Sequence, residues 1–156
     1  MNLALGYYQS PIGWLRITAE DQAIVGLDFV DRCSELEDDI PVLTLCKQQL
    51  SEYFSGHLTT FQVPIALRGS LFQQKVWDQV QLIPYGSTCS YSMVACHIGT
   101  PKAYRAVGGA NNRNPILILV PCHRVVGAYG QLVGYAGGLE KKEWLLAHEA
   151  QHAVVL

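Results

Sequence analysis

The sequence predicts an α/β protein in two lobes: an antiparallel sheet lobe over residues 1–68 and a helical lobe over 69–156 that carries a variant helix-turn-helix. Three observations predict this. Short β-prone runs separated by turn residues fill the first thirty positions, and apolar residues recur at helical spacing after Gly69. The third is composition: 156 residues, 49% hydrophobic and 15% charged, supply one well-packed domain with two lobes and are too sparsely charged for a disordered chain.

In the first lobe, Ala4–Tyr8, Gly13–Thr18 and Ala23–Phe29 are the strand candidates. Turn signals at Ser10-Pro11-Ile12-Gly13 and Glu20-Asp21-Gln22 separate them, which makes an antiparallel meander. An acidic loop from Glu35 to Asp39 follows, then a helix from about Val42 to Phe54 ended by Gly56. Phe61–Ile65 reads as a further extended piece. Nothing in residues 1–68 groups titratable or nucleophilic side chains, so this lobe reads as scaffold.

In the second lobe, Phe72, Val76, Val80 and Ile83 mark a helix that stops at Pro84-Tyr85-Gly86. Ser90-Tyr91-Ser92 caps a helix running through His97, and Gly99 punctuates its end. Pro101 then opens a third helix through Lys102-Ala103-Tyr104-Arg105-Ala106-Val107. Two short helices joined by a glycine-containing turn, the second basic and rich in small residues, make a helix-turn-helix. Ala95 and Gly99 keep that motif's spacing while its later apolar position is displaced, hence a variant. An ordinary helical hairpin fits the same pattern.

Several classes are excluded or disfavoured. No run of 18 apolar residues exists, so no membrane span is expected. The stretch Met1–Tyr8 lacks the features of a signal peptide, which predicts a cytoplasmic protein. Five cysteines (33, 46, 89, 96 and 122) form an odd set without paired close spacing, so neither a disulfide framework nor a zinc site is indicated. The net charge of −2 hides an asymmetry: residues 1–69 hold four Lys/Arg against nine Asp/Glu, whereas residues 70–156 hold seven against four. Between Asp78 and Glu140 there is no carboxylate, while Lys102, Arg105, Arg113 and Arg124 lie in that window. Such a surface tolerates a polyanion. Burial of a central segment would produce the same deficit.

The most informative stretch is Ile116-Leu117-Ile118-Leu119-Val120-Pro121-Cys122-His123-Arg124. Five aliphatics suit a short buried segment, and Pro121 fixes the backbone before the thiol. A cysteine at the edge of a core, beside a base and a cation, is how a protein makes a thiolate nucleophile. Cys-His adjacency alone equally fits a buried cysteine and a core histidine. The basic helix adds a second clue. Ala103, Ala106, Gly108, Gly109 and Ala110 strip it of bulk, so it approaches a groove wall closely without reading many base edges. Arg105 is the long side chain placed to enter the base stack and fill the gap left by a flipped nucleotide.

With these residues in view, the chain resembles the O6-alkylguanine-DNA alkyltransferases, the methylated-DNA–protein-cysteine methyltransferase family. The resemblance runs from Phe72 to Glu149. It is carried by Phe72-Gln73-Gln74-Lys75-Val76-Trp77, Ile83-Pro84-Tyr85-Gly86, Ser90-Tyr91, Arg105-Ala106-Val107-Gly108-Gly109-Ala110, Asn114-Pro115, Pro121-Cys122-His123-Arg124-Val125, Gly134-Tyr135-Ala136-Gly137-Gly138-Leu139 and Leu145-Leu146-Ala147-His148-Glu149. The first lobe matches only in length and strand-rich pattern; the resemblance implies a ribonuclease-H-like fold there.

The resemblance implies a single-turnover protein that reverses O6-alkylguanine, and O4-alkylthymine, in double-stranded DNA after nucleotide flipping. Cys122 would accept the alkyl group, His123 would withdraw the thiol proton through a water, and Glu149 would orient the imidazole. Tyr91 would donate to a ring nitrogen of the departing guanine. Asn114 would hold the hinge between the recognition helix and the cysteine segment. Backbone groups near Val125 and Tyr135-Ala136 would bond the base edge, with Tyr135 walling the pocket. Arg105 would be the intercalating finger, and Lys102, Ala103, Ala106, Gly108, Arg113 and Arg124 would face DNA. No cofactor is implied, and the protein is expected to be a monomer. Ser92, Ala136 and the polar Asn111-Asn112-Arg113 depart from common family residues. Some relatives carry an N-terminal zinc-binding cysteine cluster; no cysteine precedes Cys33 here, so no metal site is expected. A non-catalytic lesion binder and a thiol hydrolase are the rival readings. The Cys-His-Glu set argues against the first, and the acid-free helix pair against the second.

Overall fold

β1 (Leu3–Ser10), β2 (Gly13–Glu20) and β3 (Ala23–Val30) pair antiparallel in chain order, in a computed structural model that describes residues 2–153. Tight turns at 11–12 and 21–22 join them, and a β-bulge breaks the β2–β3 register at Thr18/Ala19. The strands run one to three residues beyond the predicted apolar runs, because the polar ends of hairpin strands still pair. Leu15, Ile17 and Ala19 of β2 and Ile24 and Leu27 of β3 are fully buried. They form a core with Leu43, Cys46, Leu50 and Tyr53 of α1 (Pro41–Phe54). Pro41 opens α1 at a position where its missing N–H is no loss.

Gly56 ends α1 in a Schellman motif: at φ +84° its N–H bonds Tyr53 O while His57 N–H bonds Glu52 O. The acidic loop is exposed but tied to the sheet. Glu37 and Asp38 accept the backbone N–H groups of Tyr7 and Leu5, which covers the outer edge of β1. Phe61–Ile65 is not a strand. It contributes one isolated parallel bridge, Ile24 to Ile65, because Pro64 has no N–H to continue a ladder.

The chain divides into compact units between Leu67 and Arg68. In the second unit, α2 (Leu71–Val80) starts with a capping box: Ser70 Oγ accepts Gln73 N–H at 3.1 Å and Gln73 Oε1 accepts Ser70 N–H at 3.0 Å. β4 (Cys89–Ser90) leads directly into α3 (Tyr91–His97), whose N-cap is Ser90 through a bond from Met93 N–H. Gly99, at φ +83°, ends α3 with the same pair of cap bonds that closes α1.

α4 (Tyr104–Asn112) begins at Tyr104, not near Lys102 as the sequence suggested. Pro101 and Lys102 form a turn, Ala103 is the N-cap, and the helix continues five residues past Val107. Val107 and Ala110 pack inward, and Trp77 Nε1 of α2 donates to Ala110 O at 2.9 Å. A 3₁₀ turn (Cys122–Arg124) and β5 (Val125–Val126) follow, and β5 pairs parallel with β4. α5 (Leu139–His152) closes the unit, with Leu145 in the core. Among the described residues no helix is long and apolar enough to cross a membrane.

Candidate active site

The aliphatic run before the cysteine is buried as expected, and it folds as a turn. Val120 N–H returns to Ile116 O and Leu119 N–H to Leu117 O. Ile118 takes φ +72°, a strained conformation for a β-branched residue that surrounding packing must hold. Asn114 clasps this turn: its Nδ2 donates to Val120 O at 2.8 Å and its Oδ1 accepts Ile116 N–H at 2.9 Å. The chain leaving α4 is thereby tied to the residue two before the thiol. The β4–β5 pairing ties the other side, linking Ser90, which caps α3, to the residues after the 3₁₀ turn.

Cys122 is 1% exposed and His123 fully buried. His123 Nε2–H donates to Glu149 Oε2 at 2.7 Å. A carboxylate only accepts, so the bond places the proton on Nε2 and leaves Nδ1 bare. Nδ1 is buried and meets no protein partner among the described residues. Arg124 holds the same carboxylate at both oxygens, Nε to Oε1 at 2.7 Å and Nη2 to Oε2 at 3.0 Å, while its Nη1 donates to Ile83 O at 2.7 Å.

These contacts set the charges. Burial pushes Glu149 toward neutrality, but the bonds from His123 and Arg124 outweigh it and hold the carboxyl well below the ordinary range. Burial lowers His123 despite Glu149, so the imidazole is neutral at pH 7 and able to accept a proton. Burial pushes the Cys122 thiol up to about 11, against the opposing pull of Asn114 and Lys142. A thiol so placed needs a base.

Tyr91, the first residue of α3, donates its hydroxyl to Val133 O at 2.7 Å. Tyr135 is buried with its ring edge-on to His123, centroids 6.5 Å apart, and its hydroxyl unpartnered among the described residues. Val125 is buried in β5, whereas Ala136 is exposed. On α4, Tyr104, Arg105, Ala106 and Gly109 are exposed, Gly108 is half-buried, and Lys102 and Arg113 are exposed to either side. Arg124 is a correction. Expected among the DNA-facing cations, it is 6% exposed, and the groups that would grip a phosphate are committed to Glu149 and Ile83.

Residues 71–151 match the DNA-binding domain of 6-O-methylguanine DNA methyltransferase, and residues 3–67 match its ribonuclease-like domain. The chain belongs to the 6-O-methylguanine DNA methyltransferase family. A methylated-DNA–protein-cysteine methyltransferase of Mycolicibacterium paratuberculosis is 47% identical over 92% of this chain and 90% of that protein. The constitutive one of Bacillus subtilis is 44% identical over 91% and 94%. Among solved structures, the Mycobacterium tuberculosis O6-methylguanine methyltransferase matches with a TM-score of 0.90 at 41% identity, over 99% of this chain and 97% of that one. A Mycobacterium tuberculosis relative in complex with DNA matches with a TM-score of 0.86 at 45% identity, over 94% of both chains.

Two residues at the site of this 6-O-methylguanine DNA methyltransferase family member escaped the sequence reading. Lys142 is buried on α5, where its Nζ donates to Val133 O and Gly134 O, both at 3.0 Å, and lies 5.8 Å above the Tyr91 ring. Burial pulls it down to about 8, against the pull of Cys122. Its phase was the available signal, since positions 142, 145 and 149 share one helix face. Asn111, noted only as an unusual polar residue, is 1% exposed and donates Nδ2 to Cys122 O at 3.2 Å. Val107, Asn111 and Asn114 share the buried side of α4 and its exit at spacings of four and three.

Proposed function

We propose that this protein repairs O6-alkylguanine, and O4-alkylthymine, in duplex DNA by moving the alkyl group onto Cys122. The observation that carries this reading is the buried chain of bonds behind the thiol, His123 to Glu149 to Arg124, which keeps a neutral base beside a nucleophile that burial makes reluctant to ionise. His123 Nδ1 takes the Cys122 proton through a water, and Glu149 stabilises the imidazolium formed. The sulfur attacks the O6-linked carbon; the S–C bond forms as the C–O6 bond breaks, and guanine departs with the electron pair. Tyr91 supplies a proton to a ring nitrogen of that guanine, which lowers the cost of its leaving. In the free protein this hydroxyl donates to Val133 O, so the incoming base must replace Val133 as its acceptor.

The thioether product is stable, so each molecule acts once. The exposed, nearly bare face of α4 supports close approach to a groove, with Arg105 filling the gap left by the flipped nucleotide and Lys102 and Arg113 meeting phosphate. The reading takes residues 69–156 as the DNA-binding and alkyltransferase lobe and residues 1–68 as its scaffold. It takes the protein as a cytoplasmic monomer, a reducing setting that suits a nucleophilic thiol. Mass spectrometry after mixing with one equivalent of O6-methylguanine DNA tests it. One methyl on the peptide containing Cys122, absent in Cys122→Ser, is expected. Binding without mass gain would establish a lesion binder, and repeated turnover a hydrolase.

A further inference from the structure

Tyr104 is 44% exposed, at the first position of a helix whose outer face is otherwise Ala, Gly, Arg105 and, at its far end, Asn112. Its neighbour does not leave it idle, since the Arg105 guanidinium lies 5.9 Å from the ring centroid, within cation–π range. Both side chains line one cleft of about 290 Å³ together with Gly108 and Asn112 of the same helix, and its other lining residues are Tyr91, Val133 and Gly134. Those three belong to the nucleophile's surroundings: Tyr91 bonds Val133 O, and Lys142 bonds Val133 O and Gly134 O. The cleft thus runs from the finger to Tyr91, which, like Lys142, lies close enough to the buried thiol to feel its charge. Residues 79–139 contain no carboxylate that would repel a nucleotide from it.

We propose that Tyr104 is a stacking platform for the extruded nucleobase, working as a pair with Arg105. Arg105 enters the duplex and fills the gap. The Tyr104 ring, held beside it by the guanidinium, offers its free face to the base that has just lost its own stacking partners. Every nucleobase has a π-face, so the platform serves alkylated purines and pyrimidines alike and adds no sequence preference. What it offsets is the unstacking cost of extrusion. A phosphate bonded by the Tyr104 hydroxyl is the competing role for the same residue, and it would depend on the oxygen and not on the ring.

The inference rests on the alkyl-transfer reading above, and the test separates the two. Single-turnover transfer is measured for wild type, Tyr104→Ala and Tyr104→Phe with duplex DNA containing O6-methylguanine and with free O6-benzylguanine. Loss of a base–aromatic stack should slow duplex repair about tenfold to a hundredfold in Tyr104→Ala. Tyr104→Phe should restore it, and attack on the free base, which needs no extrusion, should slow less than duplex repair does. Equal loss on duplex and free base, no loss on the duplex, or failure of phenylalanine to restore the rate overturns the proposal. A second measurement does not depend on transfer. In a Cys122→Ser background, 2-aminopurine at the extruded position should fluoresce more brightly in the Tyr104→Ala complex, because the ring no longer quenches it. Unchanged emission overturns the platform even if alkyl transfer stands; absence of transfer in wild type overturns the parent reading alone.

Discussion

Arg124 and Glu149 form a two-point ion pair, Nε to Oε1 at 2.7 Å and Nη2 to Oε2 at 3.0 Å, with the carboxylate side chain 1% exposed. The same carboxylate accepts a hydrogen bond from His123 Nε2–H at 2.7 Å, so one anion both pairs with a permanent cation and fixes the tautomer of the imidazole. Arg124 also reaches Ile83 O, which ties the network to the turn after α2. A residue expected at the DNA surface is therefore the structural anchor of the buried His123–Glu149 pair.

Removing that anchor should be costly. Arg124→Ala leaves Glu149 buried without its cation, a change expected to destabilise by about 3–5 kcal/mol. Chemical denaturation at neutral pH measures it, and a loss below about 1 kcal/mol would show that the pair contributes little. The pH dependence follows from Glu149, whose folded pKa lies below its ordinary 4.5. Its contribution is fully present above about pH 4.5 and is lost as pH falls toward the folded value. Glu149→Gln should remove this part of the acid sensitivity.

The relay itself is read from rate against pH. His123→Ala or Glu149→Gln should slow alkyl transfer by about 10²–10⁴ near neutrality, the range for general acid–base groups. The deficit should shrink as pH approaches about 11, where the Cys122 thiol ionises unaided. A wild-type rate in Glu149→Gln at neutral pH would remove Glu149 from the mechanism.

Lys142 contributes a charge and two donors. In Lys142→Met the Cys122 thiol should titrate higher, because its stabilising cation is gone. Each pKa unit of such a rise lowers the thiolate fraction, and with it the rate at fixed pH, about tenfold. Thiolate absorbance followed against pH measures the shift directly. An unmoved thiol titration with a slower rate would mean that Lys142 acts only by holding Val133 and Gly134.

Arg105 and Lys102 should fail differently. Arg105→Ala should slow repair of duplex DNA far more than attack on free O6-benzylguanine, which needs no extrusion. Lys102→Ala should weaken binding to all duplexes and reduce the slope of log affinity against log salt by about one. Equal losses on duplex and free base in Arg105→Ala would make it a support of the pocket.

Cys122, His123 and Glu149 could be singled out in the chain because Pro121-Cys122-His123-Arg124-Val125 and Leu145-Leu146-Ala147-His148-Glu149 are local strings whose order carries the resemblance. The sheet and the helices around the helix-turn-helix were legible for a different reason: periodicity, turn residues and caps act over a few positions. Burial and partnership are set by what packs from far along the chain. Arg124 looks like any surface cation until Glu149, 25 residues away, and Ile83, 41 away, arrive beside it. Lys142 is as polar as Lys141 in sequence, yet it is buried because two backbone carbonyls of Val133 and Gly134 replace its water. The aliphatic run announced its burial but not its turn, since Ile118 takes a conformation its own preferences oppose and only the packed unit sustains. Local chemistry thus marked the candidate site residues, and tertiary packing decided their charge states, because desolvation and distant partners act only once the chain has folded.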